Sequence, residues 1–160
     1  MEDDGYIPHE DVVLDTEVKL DSPRLIQLHE LWQGKCRGDR LPARRDFDPI
    51  EMKEVLGAIF LLKYLPEADD FHFTLIGTEI VKWVGVDNTG RLVGDLFGEH
   101  GRSFYGLVRT SGKPARIHGT VHWRDKRHVR FELLALPLAD DGVTVDQVLG
   151  ATIYWLDSFT

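Results

Sequence analysis

Five stretches of this chain have the alternation or apolar density of β-strands, and helical punctuation falls between the second and the third. Ala58-Ile-Phe-Leu-Leu-Lys-Tyr-Leu65 and Phe71-His-Phe-Thr-Leu-Ile76 come first, joined by the polar link Pro66-Glu-Ala-Asp-Asp70. Side chains alternate along a strand, so Phe71, Phe73 and Leu75 are expected on one face of the second stretch. Three more stretches close the chain: 116–124, 129–138 and 147–155, with turns at Asp125-Lys-Arg127 and Asp140-Asp-Gly142. In the first of these, Ile117, Val121 and Trp123 share a face. Between the two groups, Thr78 can cap a short helix through Ile80, Val81 and Trp83 that stops at Gly85. Residues 85–103 read as glycine-rich and irregular, with a turn around Leu92–Phe97. Phe104, Leu107 and Val108 then mark a longer helix, ended by Gly112 and Pro114. Five antiparallel strands with helices packed on one face make an α+β layout.

Two helix starts precede the first strand. Ser22-Pro23 supplies a capping residue and a proline at the first helical position, where a missing N–H costs nothing. Leu25, Leu28, Leu31 and Trp32 follow as one apolar stripe at helical spacing. Such a stripe packs on the protein's own body, meets a dimer or other partner, or divides itself between the two. The second start is Asp48-Pro49-Ile50-Glu51, a capping box with Phe47 and Met52 placed as its hydrophobic staple. Gly57 limits that helix. The predicted division is an acidic, flexible tail at 1–21, a helical segment at 22–57 and a core at 58–160. Val12-Val13-Leu14 is the one part of the tail able to form a short strand or to dock.

The chain of 160 residues is long enough for one domain with a full core, and its 42% hydrophobic and 29% charged content is that of a soluble globular protein. No apolar run reaches the roughly 20 residues of a membrane span. The acidic start, Met1-Glu-Asp-Asp4, is unlike a secretory signal. A single cysteine, Cys36, excludes an internal disulfide and favours a reducing cytoplasm. The net charge of -8 is concentrated at one end. Residues 1–22 hold eight acids against Lys19, which leaves 19 acids against 18 bases in the remainder. Without a basic balance, nucleic acid is not an expected partner, and neither is a membrane.

The order of elements resembles the PAS domain. Two segments narrow the resemblance to small single-domain PAS proteins common in alphaproteobacteria: Arg40-Leu-Pro-Ala-Arg-Arg-Asp-Phe-Asp-Pro49, and the strand that runs into Gly77-Thr78 followed by Thr89-Gly90-Arg91. The likeness covers roughly residues 24–157. Thr74 and Asn88 depart from it, standing where an arginine and a leucine are usual. The resemblance implies a five-stranded antiparallel sheet with helices on one face, preceded by an amphipathic helix. It implies a non-enzymatic sensor or regulator that binds a small ligand, a separate signalling partner, or both, and that forms a homodimer. The chain ends at Thr160, just past the last strand, so an output through the sheet surface, the first helix or the tail is expected. A ligand-free adaptor and a small α+β enzyme are the alternatives.

The chemistry-bearing residues are few. Phe73, Trp83, Phe97, Phe104, Tyr105 and Trp123 are candidates for a ligand cavity, with Trp83 and Tyr105 foremost because each has a polar edge that wants a partner. Leu25, Leu28, Leu31 and Trp32 are candidates for a dimer contact. Arg40, Arg44 and Arg45, with Arg37 beside them, suit an anion or an acidic partner. The simpler reading pairs them with the neighbouring Asp39, Asp46 and Asp48. His118 and His122 share a strand face but stand ~13 Å apart, too far for one ion, and no metal site is expected even with His128 nearby. His100 is the lone histidine in the helical half, which argues against haem. Cys36 lies outside that half, which argues against flavin photochemistry. No nucleophile–base–acid set is visible, and the cofactor, if any, stays unnamed.

Overall fold

A computed structural model describes residues 12–121 and 129–156. The expected turn at 125–127, and with it His122, Trp123 and His128, lies outside the described residues. Strand β1 (Val13–Asp15) comes first, then helix α1 (Pro23–Lys35) and three short 3-10 turns at Arg44–Asp46, Pro49–Met52 and Leu56–Ala58. Strands β2 (Ile59–Leu65) and β3 (Asp70–Ile76) form a hairpin. Helices α2 (Thr78–Val84) and α3 (Val93–Ser111) lead to β4 (Ala115–Val121), β5 (Val129–Leu138) and β6 (Gln147–Leu156). The strands make one antiparallel sheet in the order β1-β4-β5-β6-β2-β3.

The sheet has six strands among the described residues rather than five, and the sixth comes from the segment expected as a tail. Val13, Leu14 and Asp15 pair with His118, Ile117 and Arg116. Residues 16–21 stay tied to the body as well. The Asp21 and Ser22 N–H groups donate to the Glu132 carboxylate at 2.8 and 2.9 Å. This corrects the flexible tail over residues 12–21: Asp15 and Asp21 there are partners of a buried arginine, described below.

Alternation along the strands builds two cores. Ile59 and Leu61 of β2 lie with Leu25, Leu28 and Trp32 of α1, whereas Phe60 and Leu62 lie with Tyr105 and Val108 of α3. In β5, Leu134, Leu136 and Leu138 join the first group and Ala135 the second. Helices α2 and α3 therefore cover one face of the sheet and α1 the other. The α1 stripe is used internally. Leu25 and Leu28 are buried, Leu28 being 2% exposed, and the Trp32 Nε1–H donates to the Pro137 carbonyl at 2.9 Å. Of the four residues expected at a dimer contact, only Leu31 keeps part of its surface, with Ile26 beside it. The physical reason is that the bare sheet face offers the stripe more apolar surface than any partner need supply.

Local signals place the linkers. Asp48 and Glu51 form the expected box: Asp48 Oδ1 accepts from the Ile50 N–H at 3.0 Å, and Glu51 Oε1 accepts from the Asp48 N–H at 3.1 Å. The turn they cap is a 3-10 helix, and Lys35 ties it to the end of α1 through Glu51 at 2.9 Å. Ser22 stands at the start of α1 but makes no side-chain cap. Gly77, not Thr78, is the cap position of α2, and a Cβ there would collide with the Gly57 carbonyl. The Arg24 guanidinium then grips both Glu79 oxygens at 3.1 and 2.8 Å, fastening α1 to α2.

Two expectations change. Leu75 does not share the face of Phe71 and Phe73. The register slips between Leu61 and Leu62, so Phe73 faces Leu62 while Leu75 faces Leu61. Thr74 is the extra residue of this β-bulge, and one extra residue turns the strand over. Leu75 is left 39% exposed. The stretch around Leu92–Phe97 is not a turn but the first part of α3, which breaks only at Gly98 (φ 67°, ψ −158°). The buried Asp70 carboxylate makes this early start possible, because it accepts from the Gly94 N–H at 2.8 Å.

Candidate functional site

The space between the sheet and the α2–α3 layer is built from aromatic rings. Phe60 touches Phe73 and Tyr105 at 5.8 and 6.2 Å between ring centroids. Tyr105 continues to Phe104 at 4.9 Å and to Phe71 at 6.2 Å, and Phe73 meets Phe97 at 6.4 Å. Most of these pairs are tilted or edge-on, the geometry that favours aromatic contact. Gly150 makes the lattice possible from below: it stands opposite Phe60 in the β2–β6 pair, and a Cβ there would enter the Phe60 ring.

The rings divide by exposure. Phe60, Phe71, Phe73, Phe104 and Tyr105 are buried and fill the core. Phe97, Trp83 and Tyr154 are half-buried. Trp83 of α2 packs over Tyr154 of β6 at 5.8 Å with the rings 32° apart. Tyr154 in turn lies near enough to Tyr105 to act on its ionisation. The structure thus brings Phe73, Phe97, Phe104 and Tyr105 into one cluster and sets Trp83 at its rim. Trp123 lies outside the described residues. Tyr154, Phe60 and Phe71 belong to the same assembly and are absent from the sequence-based candidates. Tyr154 was signalled by alternation, since it follows buried Thr152 by two residues on β6.

The electrostatics of this layer favour neutral donors. Burial, and secondarily the neighbouring Tyr154, push the Tyr105 phenol far above the usual tyrosine range. Burial does the same to Tyr154. Both hydroxyls therefore remain protonated throughout the accessible pH range. Asp70, the one acid buried on this side among the described residues, is engaged by the N–H groups of Phe71 and Gly94 at 2.7 and 2.8 Å.

The arginine segment docks elsewhere than expected. Arg45 pairs with Asp140 at 3.2 Å, and Arg40 donates to the Asp141 carbonyl at 2.6 Å. The Leu41 N–H donates to the Gly142 carbonyl and the Ala139 N–H to the Pro42 carbonyl, both at 2.9 Å. The partners are thus the β5–β6 turn, about a hundred residues on, and not Asp39, Asp46 or Asp48. Asp46 and Asp48 accept local N–H groups instead. Arg44 and Arg37 are exposed. Asp140 and Asp141 shape the turn, where Asp141 accepts from Thr144 and Val143 at 2.7 and 2.8 Å.

The two residues weighed for flavin and haem chemistry lie outside the buried aromatic cluster. Cys36 packs against the α1-side core, across the sheet from the aromatic layer, and burial raises its thiol pKa. His100 is exposed on α3. Among the described residues, no group of three His, Cys, Asp or Glu is placed to hold a metal ion, and no helix is long and apolar enough to cross a membrane.

No curated protein matches the sequence. Among solved structures, the chain is similar to an RNA-binding light-oxygen-voltage receptor, with a TM-score of 0.52 at 14% identity over 91% of this chain. It spans 39% of that receptor's chain, so the likeness is one of fold. The family model for the PAS domain matches residues 20–153. A six-stranded antiparallel sheet with α2 and α3 over an aromatic interlayer, together with a match across most of its length, makes this chain a member of the PAS domain family.

Proposed function

We propose that the protein is a non-enzymatic sensory or regulatory module of signal transduction, and that it takes a small uncharged ligand against Trp83, Phe97 and Tyr154. The observation that carries this reading is the change from solid aromatic core to half-buried rings along one layer. Tyr105 and Tyr154 stay neutral in this layer, and a planar, mostly apolar molecule suits such a lining.

A non-catalytic role is supported by the two buried acids. Asp70 is engaged by two backbone N–H groups, and Glu132 by Arg116 and two more. Neither is poised as an isolated acid or base. The single cysteine fits a reducing cytoplasm. A protein partner reached through α1 would meet Ile26 and Leu31, since Leu28 and Trp32 are internal. The word "RNA-binding" describes the longer receptor. Here a net charge of -8 gives a phosphate backbone little to hold.

The test is indole NMR on the full chain, titrated with a small-molecule extract of the native host. The Trp83 indole resonance is expected to shift while Trp32, fixed to the Pro137 carbonyl on the opposite layer, stays still. No indole shift would favour the ligand-free adaptor, and equal shifts of all four indoles would mark non-specific binding.

A further inference from the structure

Residues 13–21 are fastened to the sheet by the short β1–β4 pairing and by a cluster of charges. Val13 and Leu14 of β1 point their side chains largely to solvent, at 44% and 51% exposure. Only Val18 and Leu20 lean on the α1-side core. The hold comes from Arg116, a buried guanidinium of β4 that meets three acids: Glu132 at 2.6 Å, Asp15 at 2.9 Å and Asp21 at 3.4 Å. The carboxylates also bind backbone. Asp15 accepts the N–H groups of Glu17, Val18 and Lys19 at 2.9, 3.1 and 2.8 Å, and Glu132 accepts those of Asp21 and Ser22. Val18 sits at φ +57°, a left-handed conformation that a β-branched residue seldom adopts.

The segment also forms one edge of the described sheet. At the far edge, Phe73 of β3 is already paired on its outer side: the Gly90 N–H donates to Phe73 O at 2.7 Å and the Phe73 N–H to Arg91 O at 3.0 Å. At the near edge, β4 is covered by three residues of β1. If β1 leaves, the Arg116–Glu132 pair survives inside the sheet, so the exposed edge keeps its shape and its cation.

We propose that residues 13–21 form a displaceable strap, and that its undocking opens the β4 edge to an extended, carboxylate-bearing segment of a partner protein. The docked strap is the template for that segment. It adds a strand along Arg116–His118, sets two carboxylates on Arg116 and, with Ser22, brings two consecutive N–H groups to Glu132. A signal that loosens the strap thereby becomes a binding event on the same sheet.

Hydrogen exchange on the full chain tests the first half. Amides of Glu17, Val18, Lys19, Asp21 and Ser22 should exchange at least a hundredfold faster than core amides of β5 and β6, through local opening. The second half uses a synthetic peptide of residues 12–22 as the probe. Asp15→Ala chain should bind it and gain protection at β4, and a peptide with asparagine at both aspartate positions should bind at least tenfold more weakly. Equal protection of strap and core amides would overturn the strap, even if the variant failed to fold. A folded Asp15→Ala chain that ignores the peptide would overturn the docking edge.

Discussion

A carboxylate with 1% of its surface exposed must be surrounded by donors, and Glu132 is: Arg116 Nε–H and the N–H groups of Asp21 and Ser22 converge on it. Nothing near Glu132 in the sequence foretells this. Its neighbours alternate as in any strand, and its donors lie sixteen to about a hundred and ten residues away. The arginines misled for the same reason, since proximity in sequence suggested Asp46 and Asp48 while the fold supplied Asp140 and Asp141. Of the tyrosines, Tyr105 was picked out from its place in the helical layer, whereas Tyr154 at the end of β6 was missed. Their pH consequence has a definite sign. Tyr105 and Tyr154 have folded pKa values raised by burial above the usual value of about 10. Their contribution to stability is therefore complete below that value and is lost as pH rises, because only the unfolded chain releases the protons. Ultraviolet titration should show both phenols silent until the protein unfolds in alkali. Titration of all four tyrosines near 10 in folded protein would contradict the burial.

At the scale of elements, local chemistry was legible and partnership was not. The capping box at Asp48–Glu51 and the glycine stops at Gly85 and Gly112 involve neighbours in sequence, so residue type alone announced them. The bulge at Thr74 could not be read, because it exists only in the register of β3 against β2. The early start of α3 escaped too, because its cap comes from Asp70 on another strand. The α1 stripe was found correctly, but its destination was open between core and partner. Burial of Leu28 decides it. Leu28→Ala should cost about 2–5 kcal/mol of folding stability, as a core truncation does, with no change in oligomeric mass. Urea denaturation and light scattering measure the two. A fully stable variant with an altered mass would return the stripe to an interface.

Over the whole molecule, one sheet serves two cores that do different work. The α1 side is mostly aliphatic, with Trp32 and Phe47 among its buried residues, and is fastened by Arg24, Lys35 and the Arg116 cluster. The α2–α3 side is aromatic and opens from buried Tyr105 toward half-buried Trp83 and Tyr154. The proposed ligand layer and the proposed strap meet the sheet at different strands, β6 and β4. Acid reaches the strap by a separate path. Burial alone would raise the Asp15 pKa, but hydrogen bonds from the Lys19 N–H, Arg116 and the Glu17 N–H outweigh it and hold the carboxyl below the usual range. Its stabilising effect is thus present above the ordinary aspartate value and fades as pH falls through the lowered one.

The claim that the aromatic layer holds a ligand is tested most directly by native mass spectrometry of the full chain purified from its host. The account predicts one stoichiometric adduct that is retained by wild type and lost in Trp83→Ala. Bare chain throughout, in protein shown to be folded, would contradict it.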